Sequence, residues 1–513
     1  MSEAPASPAR IPHRSAVFFG LVLGAYLQGY DNMMVAIALP HIQGPMSATL
    51  DEITWILTAY LIAVALAQPV VGPLVDKFGR RNVYLWSAGG FVITSILAGS
   101  SDTLAELVFY RFMQGIFSST FQPISQGFVF EAFSLRERGN AMSWWNLGLM
   151  SGMLSGPLIG GYITEFESWR LAFYLNAPIT IISMVVVAVF ATSRPNPARM
   201  RRFNFNGFAI LVVGLVALQF VLSRGERMDW FAAPEITVAC AIALIAVYLY
   251  FVHTLTAANP FIDIAIFKDR NFVIGTILFG VMGAWWLAFM ALISPFLQTL
   301  GGYPVLTAGA VVSTFGAANA CVAFIAGNIT RYISPGWAMA LGLGLMAYAS
   351  WILSTFTLAF SQTEAFIAVL IGGMGNGMFF VSLSVLAFST LPLRHINVGA
   401  GFFALVRVVG SSFGGSVAVV YLVRQTQVNH ARISEQISPF SESFRHVPLP
   451  DAWNLSDVAS LAALDAEATR QATLLAYVDD FRWIAILVAA SIPLLALVRM
   501  PPREGSTSQA PTE

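Results

Sequence analysis

The chain has little charge and almost no cysteine. Only 11% of its 513 residues are Asp, Glu, Lys or Arg, and 27 basic residues balance 27 acidic ones. A balanced charge with scattered basic residues gives no basis for nucleic-acid binding. The two cysteines, Cys240 and Cys321, both lie inside apolar runs. The sequence therefore supports neither a disulfide framework nor a thiolate metal site.

Two kinds of chemical motif are also missing from the sequence. It holds no phosphate-binding loop of the form Gly-x-x-x-x-Gly-Lys-Ser/Thr, and it holds no cluster rich in His or Cys. We therefore expect no metal and no organic cofactor, and we do not expect an enzyme.

Apolar residues are what the sequence has in excess. They make up 57% of the chain, and the mean hydropathy is +0.71. About 20 apolar residues in a helix cross the roughly 30 Å of hydrocarbon in a bilayer. Fourteen runs of suitable length lie near 15–39, 53–75, 83–100, 104–130, 140–163, 171–192, 205–224, 235–255, 272–297, 307–327, 337–359, 364–391, 399–423 and 477–499. We expect an all-α, multi-pass membrane protein surrounded by lipid.

The basic residues predict how the chain is oriented. Cytoplasmic loops carry an excess of Lys and Arg. With the N-terminus inside, seventeen basic residues fall on the inner side, whereas the short outer loops hold Arg170, Arg224 and Arg227. We expect the N-terminus (1–14) and the tail (500–513) in the cytoplasm and the protein in the cytoplasmic (inner) membrane.

The turn between the second and third runs carries the most distinctive motif. Residues 72–81 read Gly-Pro-Leu-Val-Asp-Lys-Phe-Gly-Arg-Arg. They match every fixed position of Gly-x-Leu-x-Asp-x-x-Gly-Arg-Arg, so the chain resembles the major facilitator superfamily, which has this signature between its second and third helices. Residues 55–61 and 69–72 extend the resemblance to the fourteen-span drug:proton antiporter group.

The resemblance implies a fold and a domain organisation. The major facilitator fold has two six-helix bundles, which we place at 15–192 and 272–499, and the linker 193–271 is expected to hold two extra spans. A polar stretch, 425–477, is expected to form a long outer loop in the second bundle. It is either a tolerated surface excursion or a docking surface for an external partner. In Gram-negative relatives of the group, that partner would be a periplasmic adaptor protein working with an outer-membrane channel.

Two charged residues lie deep inside predicted spans. At about 1.5 Å per residue, Asp31 lies roughly 13 Å below the outer end of the first run and Arg111 roughly 12 Å below that of the fourth. Because the two share a depth, they can neutralise each other, or a proton can compete for the acid. Residues 30–40 and 111–115 resemble helix motifs of proton-coupled members. We interpret Asp31 and Arg111 as the proton-coupling pair, the alternative being a purely structural ion pair.

Two sets of residues resemble conformational motifs of the superfamily. The loop motif is expected to gate alternating access, with basic residues that latch one bundle to the other. The glycines of the fifth run share a helix face that admits a neighbouring backbone, and their pattern resembles the antiporter motif. The residues expected to serve conformational gating are Gly72, Asp76, Gly79, Arg80, Arg81, Gly152, Gly156, Pro157, Gly160 and Gly161.

A cavity for bulky lipophilic molecules needs apolar and aromatic walls with a few polar groups. Arg407 is a third charge inside a predicted span, and we expect it either to bind anionic substrate groups or to bridge the two bundles. The candidate cavity residues are Gln28, Asn32, Gln114, Gln122, Gln126, Trp144, Trp145, Asn146, Trp285, Trp286, Phe289, Asn319, Asn376 and Arg407.

These features together predict a proton-coupled antiporter that exports lipophilic drugs or toxic compounds by alternating access. Without a nucleotide-binding motif, transport has to draw on a gradient. One alternative is a proton symporter or facilitator for a specific nutrient or siderophore, against which the glycine pattern of the fifth run argues. Another is a membrane scaffold or sensor that transports nothing, but such a protein has no need of charges inside its spans.

Overall fold

The computed structural model describes residues 13–48, 50–53, 55–192, 204–225, 228, 230–257, 260–261, 264–329, 334–392, 395–437 and 458–498. The secondary-structure elements that these residues form are helices, as long apolar runs predict.

The described residues form fourteen spans in chain order, and we number them α1 to α14. The first six are α1 Arg14–Gln43, α2 Trp55–Phe78, α3 Arg80–Gly99, α4 Leu104–Ser118 with Phe121–Ala132, α5 Leu135–Phe166, and α6 Trp169–Tyr174 with Asn176–Phe190. The next two are α7 Phe205–Arg224 and α8 Pro234–Thr256. The last six are α9 Arg270–Thr299, α10 Val305–Ile329, α11 Pro335–Leu353, α12 Gln362–Ala387, α13 Ile396–Gln436 and α14 Val458–Ser491.

Eleven of these spans are long and apolar enough to cross a membrane by length and composition alone. The other three are α1, α4 and α5. A two-residue turn at 119–120 divides α4 into segments of 15 and 12 residues, each too short by itself. With 30 and 32 residues, α1 and α5 are long enough to span. The predicted fold class, an all-α polytopic membrane protein, is confirmed.

The helices form two bundles with a helix pair beside them. In the first bundle α1 packs on α5 and α6, α2 packs on α4, and α3 packs on α4 and α6. In the second, α9 packs on α13, α10 on α12, and α11 on α12 and α14. The pair α7 and α8 lies at the seam, because α7 contacts both α2 and α13. We call the end of the bundles where α1 begins the inner face and the opposite end the outer face.

Glycines let α5 approach α1 closely. A Cβ atom on Gly156 would lie 2.8 Å from the Cβ of Met33 on α1. A Cβ atom on Gly160 would lie 2.9 Å from Cγ of Met34, also on α1. On Gly152 the added atom would overlap the backbone oxygen of Tyr26. The prediction that this face of α5 admits a neighbouring backbone is confirmed.

Parts of the predicted outer loop are helical. We expected a loop over 425–477, but α13 continues unbroken to Gln436 and α14 begins at Val458. The 41 residues of α13 span about 60 Å, twice the hydrocarbon thickness. Polar residues do not by themselves end a helix, and residues 425–436 contain neither Gly nor Pro, so the helix of α13 runs on through them. The last part of the predicted outer stretch, 458–476, is helical as well.

Replacing Gly152 by Ala should destabilise the protein, because the added methyl group meets the backbone of α1. Overpacking of this kind costs about 1–3 kcal/mol. Gly89→Ala is the matched control, since a Cβ atom there meets nothing within 4 Å. Thermal unfolding of the purified protein should give a lower midpoint for Gly152→Ala and an equal or higher midpoint for Gly89→Ala. Equal midpoints for Gly152→Ala and wild type would contradict the close approach.

Candidate functional site

An ion pair lies buried inside the first bundle. Nη1 of Arg111 on α4 donates a hydrogen bond of 2.7 Å to Oδ2 of Asp31 on α1, and both side chains are 0% exposed. The shared depth read from the sequence does bring the two side chains together. In a low-dielectric interior each charge alone would cost several kcal/mol, so the pairing ties α1 to α4.

Polar side chains from two further helices surround this pair. Nδ2 of Asn176 on α6 donates to Oδ1 of Asp31 over 2.7 Å, and Oε1 of Gln114 accepts from Nη1 of Arg111 over 2.7 Å. Oγ of Ser95 on α3 accepts from both amides, over 3.1 and 3.2 Å. We call Asp31, Ser95, Arg111, Gln114 and Asn176 the ion-pair network.

An aromatic ring and a backbone carbonyl on α2 also hold the guanidinium of Arg111. The ring centroid of Tyr60 lies 4.3 Å from its central carbon, a cation–π contact, and Nε donates to the carbonyl oxygen of Ile56 over 3.4 Å. Helices α1, α2, α3, α4 and α6 therefore all contribute to the ion-pair network or to its immediate contacts.

In the ion-pair network, a proton on the Asp31 carboxylate can take the place of its ion pair with Arg111. Protonating Asp31 removes its negative charge and weakens its bond to Arg111. Nη2 of Arg111 and Oδ1 of Asn176 have no hydrogen-bond partner among the described residues. The guanidinium thus has a spare donor with which to form a new contact when the carboxylate is neutralised.

Sequence reasoning undervalued two members of the network. Neither Asn176 nor Ser95 is among the candidate site residues, and a serine in an apolar run does not reveal its neighbours. The available signal was that Asn176 is a polar residue at the start of a helix segment, two residues before Pro178. By contrast, Glu106 is exposed and forms a capping box with Thr103 at the start of α4, away from the network.

Three asparagines link the two bundles. Nδ2 of Asn146 on α5 donates to Oδ1 of Asn319 on α10 over 2.5 Å, and Nδ2 of Asn319 donates to Oδ1 of Asn376 on α12 over 2.6 Å. One turn nearer the inner face, Oγ of Ser143 donates to the carbonyl oxygen of Ala323 over 2.5 Å. Three predicted cavity residues thus form a hydrogen-bonded chain between the bundles.

A second contact between the bundles involves the third intramembrane charge. Nη2 of Arg407 on α13 donates to Oε1 of Gln122 on α4 over 2.9 Å. Beside it, the rings of Trp145 on α5 and Phe380 on α12 stack with centroids 5.6 Å apart. Of the two roles expected for Arg407, bridging the bundles is therefore seen in this conformation.

These contacts lie in the inner half of the bundles. Asn146 and Arg407 each come 11 residues after the inner start of their helices, or about 16 Å at 1.5 Å per residue. At the inner ends, Phe130 and Phe388 stack with centroids 4.5 Å apart. The described structure is therefore closed between the bundles on its inner side.

Three predicted cavity residues lie elsewhere. Trp285 and Phe289 are 0% exposed and stack inside the second bundle, with centroids 5.0 Å apart. Trp285 also donates to Ser350 over 3.0 Å. Trp144 is 49% exposed and meets the edge of Phe324. An aromatic residue in an apolar run was as consistent with a core or surface position as with a cavity, and these positions do not support a cavity role.

The remaining cavity candidates differ in their burial and in their hydrogen bonds. Gln28 and Gln126 are buried, and Oε1 of Gln28 and both amide atoms of Gln126 have no partner among the described residues. Asn32 is partly buried and donates to the backbone oxygen of Gln28. Trp286 is partly buried against the core of the second bundle. Because unpaired buried amides are costly, Gln28 and Gln126 are suited to contact with water or substrate.

The basic residues of the loop motif make contacts within the first bundle. Nη1 of Arg80 lies 2.7 Å from Oε2 of Glu131 on α4, and Nη2 of Arg81 donates to the carbonyl oxygen of Ala188 on α6 over 2.8 Å. Both contacts stay within the first bundle, so neither of them is the predicted link between the two bundles. In this conformation α5 with α10 and α4 with α13 provide hydrogen bonds between the bundles.

The rest of the gating candidates lie on helices or between them. Gly72 lies in α2, as its place in the predicted run 53–75 implies, whereas Asp76 belongs to the last turn of α2 and not to the turn between the runs. Gly79 alone separates α2 from α3. Its φ of 82° lies in the region that favours glycine. Pro157 and Gly161 belong to α5, and their side-chain surroundings lie outside the described residues.

The packed spans and the charges buried within them define a multi-pass membrane transport protein. The family model of the Major Facilitator Superfamily matches residues 21–415. The chain belongs to the major facilitator superfamily, as the motif in residues 72–81 predicts.

Curated relatives span most of the chain. It is 27% identical over 422 residues to "Multidrug export protein EmrB" of Escherichia coli (strain K12), a match that covers 82% of each chain. It is 27% identical over 499 residues to "Fatty acid resistance protein FarB" of Neisseria gonorrhoeae, covering 95% of this chain and 97% of the relative.

Solved structures share the fold at lower sequence identity. The human organic anion transporter MFSD10 (TETRAN) superposes with a TM-score of 0.60 at 14% identity, covering 93% of this chain and all of that one (100%). The proton:xylose symporter XylE superposes with a TM-score of 0.59 at 15% identity, covering 94% and 96%. These likenesses concern the fold alone.

Removing one partner of the ion pair should cost more than removing both. Arg111→Leu should lower the free energy of unfolding by about 3–5 kcal/mol, because Asp31 is left buried and unpaired. The double variant Asp31→Asn with Arg111→Leu should recover part of this loss. Denaturant unfolding of the purified protein measures both values.

The surface pair Arg170–Asp102 is the control for this comparison. Its partners are 3.2 Å apart, and the Asp102 side chain is 86% exposed. Asp102→Asn, which removes the charge of the exposed partner, should therefore change the free energy of unfolding by less than about 1 kcal/mol. A double variant at Asp31 and Arg111 that loses the sum of the two single losses would contradict the coupling.

Proposed function

We propose that the protein is a proton-coupled antiporter that exports lipophilic small molecules from the cytoplasm. The observation that carries this proposal is the ion-pair network, in which a fully buried carboxylate has a guanidinium partner that a proton can replace. Charges inside a membrane span are costly and commonly mark ion pathways. The relatives support export, since their names describe multidrug export and fatty acid resistance.

The proposed cycle alternates two arrangements of the bundles. In the arrangement described, the inner side is closed, and a proton arriving from the outer side neutralises Asp31. Loss of the pair releases Arg111 and loosens the packing of α1 against α4. The contacts between α5 and α10 and between α4 and α13 then open, the proton leaves inward, and a substrate enters from the inner side. Return to the first arrangement exports it.

The orientation of the chain is part of the proposal. We infer that the inner face lies in the cytoplasm, because it carries most of the basic residues and because short cytoplasmic loops favour Lys and Arg. Both termini are then cytoplasmic, and in a bacterium with two membranes the protein resides in the inner one.

A partner on the outer side is also proposed. The extensions of α13 and α14, 425–436 and 458–476, continue as helices past the predicted spans. Two long helices with polar surfaces provide an extended docking surface. We propose a periplasmic adaptor protein, leading to an outer-membrane channel, as the partner.

Asp31→Asn should abolish proton-coupled export, because an amide cannot take up and release the coupled proton. The measurement is drug-induced proton movement in reconstituted vesicles with an imposed pH gradient, with lipophilic drugs as substrates. Asp102→Asn is the matched control, since it removes a carboxylate that lies at the surface. Proton flux that needs the drug and survives in Asp31→Asn would contradict the assignment.

A disulfide at the closed inner side should block transport reversibly. Ser143 on α5 and Ala323 on α10 are in hydrogen-bond contact across the bundles. In a background with Cys240→Ser and Cys321→Ser, the pair Ser143→Cys and Ala323→Cys should cross-link and stop export, and a reductant should restore it. Each single cysteine variant is the control. Full export by the cross-linked protein would rule out opening at this contact.

A further inference from the structure

Arg407 leaves a positive charge unbalanced at the seam between the bundles. Of the three charged side chains predicted deep inside the spans, Asp31 and Arg111 neutralise each other. Arg407 forms no ion pair with a carboxylate in the described part of the chain; its hydrogen bond goes to Gln122. A full positive charge held by a neutral amide is poorly compensated in a membrane.

The surroundings of Arg407 leave room for a stronger partner. Its Nε atom has no hydrogen-bond partner among the described residues, and its guanidinium carbon lies 5.8 Å from the ring centroid of Phe279. Nε2 of Gln122 is likewise without a partner, so Arg407 provides the one side-chain hydrogen bond described for the Gln122 amide. This amide can therefore move aside without breaking another bond.

A second donor without a partner among the described residues lies one helical turn from Gln122 on α4. Gln126 follows Gln122 by four residues on α4, so the two share a helix face, and this segment of α4 packs on α13. Gln126 is 1% exposed, and its amide nitrogen has no partner in the described structure. Nε of Arg407 and Nε2 of Gln126 are thus two buried donors on neighbouring helices that lack acceptors.

We propose that Arg407 and Gln126 form the binding site for the anionic head group of an amphipathic substrate, a carboxylate or sulfonate on an apolar tail. This inference rests on the proposed export function and names its substrate class. The anion binds Arg407 when the bundles separate on the inner side. When they close again, Oε1 of Gln122 replaces it on Arg407, and the anion leaves toward the outer side.

Three probes with the same ten-carbon tail test the head-group preference. Decanoate, 1-decanol and decyltrimethylammonium differ in charge and are titrated calorimetrically into the full chain in nanodiscs of zwitterionic lipid, with empty nanodiscs subtracted. Decanoate should bind about tenfold more tightly than either other probe, because it alone brings a negative charge to the guanidinium of Arg407, whereas decanol offers a neutral acceptor and decyltrimethylammonium a like charge. Equal binding of the three probes would overturn the proposal.

Variants assign the preference to the site. Arg407→Gln should weaken decanoate binding about tenfold while changing the other probes less than about twofold, and Arg407→Lys should keep most of the affinity. Gln126→Leu should weaken decanoate binding about threefold. Arg224→Gln is the matched control, since Arg224 lies at the outer end of α7 over the ring of Trp55. Unchanged decanoate binding in Arg407→Gln, or an equal loss for all three probes, would refute the site.

Gln122→Leu tests the exchange at Arg407. Removing the competing oxygen should tighten decanoate binding about threefold, and a weaker or unchanged affinity would contradict the exchange.

Coupled export of a cationic dye, measured in vesicles, separates this inference from the proposed function. Dye export by a wild-type protein that does not bind decanoate would refute the anion site alone. Absence of proton-coupled export for every compound would refute the export function, whatever the decanoate titration gives.

Discussion

The rest of the structure depends on the need to pair charges in an interior that lacks water. The carboxylate of Asp31 and the guanidinium of Arg111 are both fully buried, and they are stable there because each neutralises the other. The amides of Asn176 and Gln114 complete the pairing. The glycines of α5 leave room for α1 to lie close to α5, in the position where Asp31 meets Arg111. Since the balance is electrostatic, one proton is enough to upset it.

The fourth span connects this pair to the seam between the bundles. Its first segment, Leu104–Ser118, carries Arg111, and its second, Phe121–Ala132, carries Gln122 and Gln126. The turn at 119–120 separates the level of the ion-pair network from the level where the bundles meet. A shift of the first segment on protonation can therefore reach the contact with Arg407 through one short connection. In the proposed cycle, this layout places proton exchange and substrate exchange at different depths of the same helix.

Much of the fold was predictable because membrane spans can be recognised from long apolar stretches of the sequence. The apolar runs and the motif in residues 72–81 identified the fourteen spans and the family, and equal depth predicted that Asp31 and Arg111 meet. The ends of α13 and α14 were not predictable from hydropathy, since a helix can continue into water without changing its backbone. The partners Asn176 and Ser95 depend on how helices rotate against each other, which one sequence does not reveal. For the same reason Trp285 and Phe289 could not be told apart from cavity residues.

The central claim is that Asp31 carries the proton that substrate binding displaces. The most direct test counts the protons released when a lipophilic substrate binds the purified protein in weakly buffered solution with a pH indicator. The account predicts release of up to about one proton per bound molecule in the wild type and none in Asp31→Asn. Equal proton release by Asp31→Asn and wild type, at equal substrate binding, would contradict it.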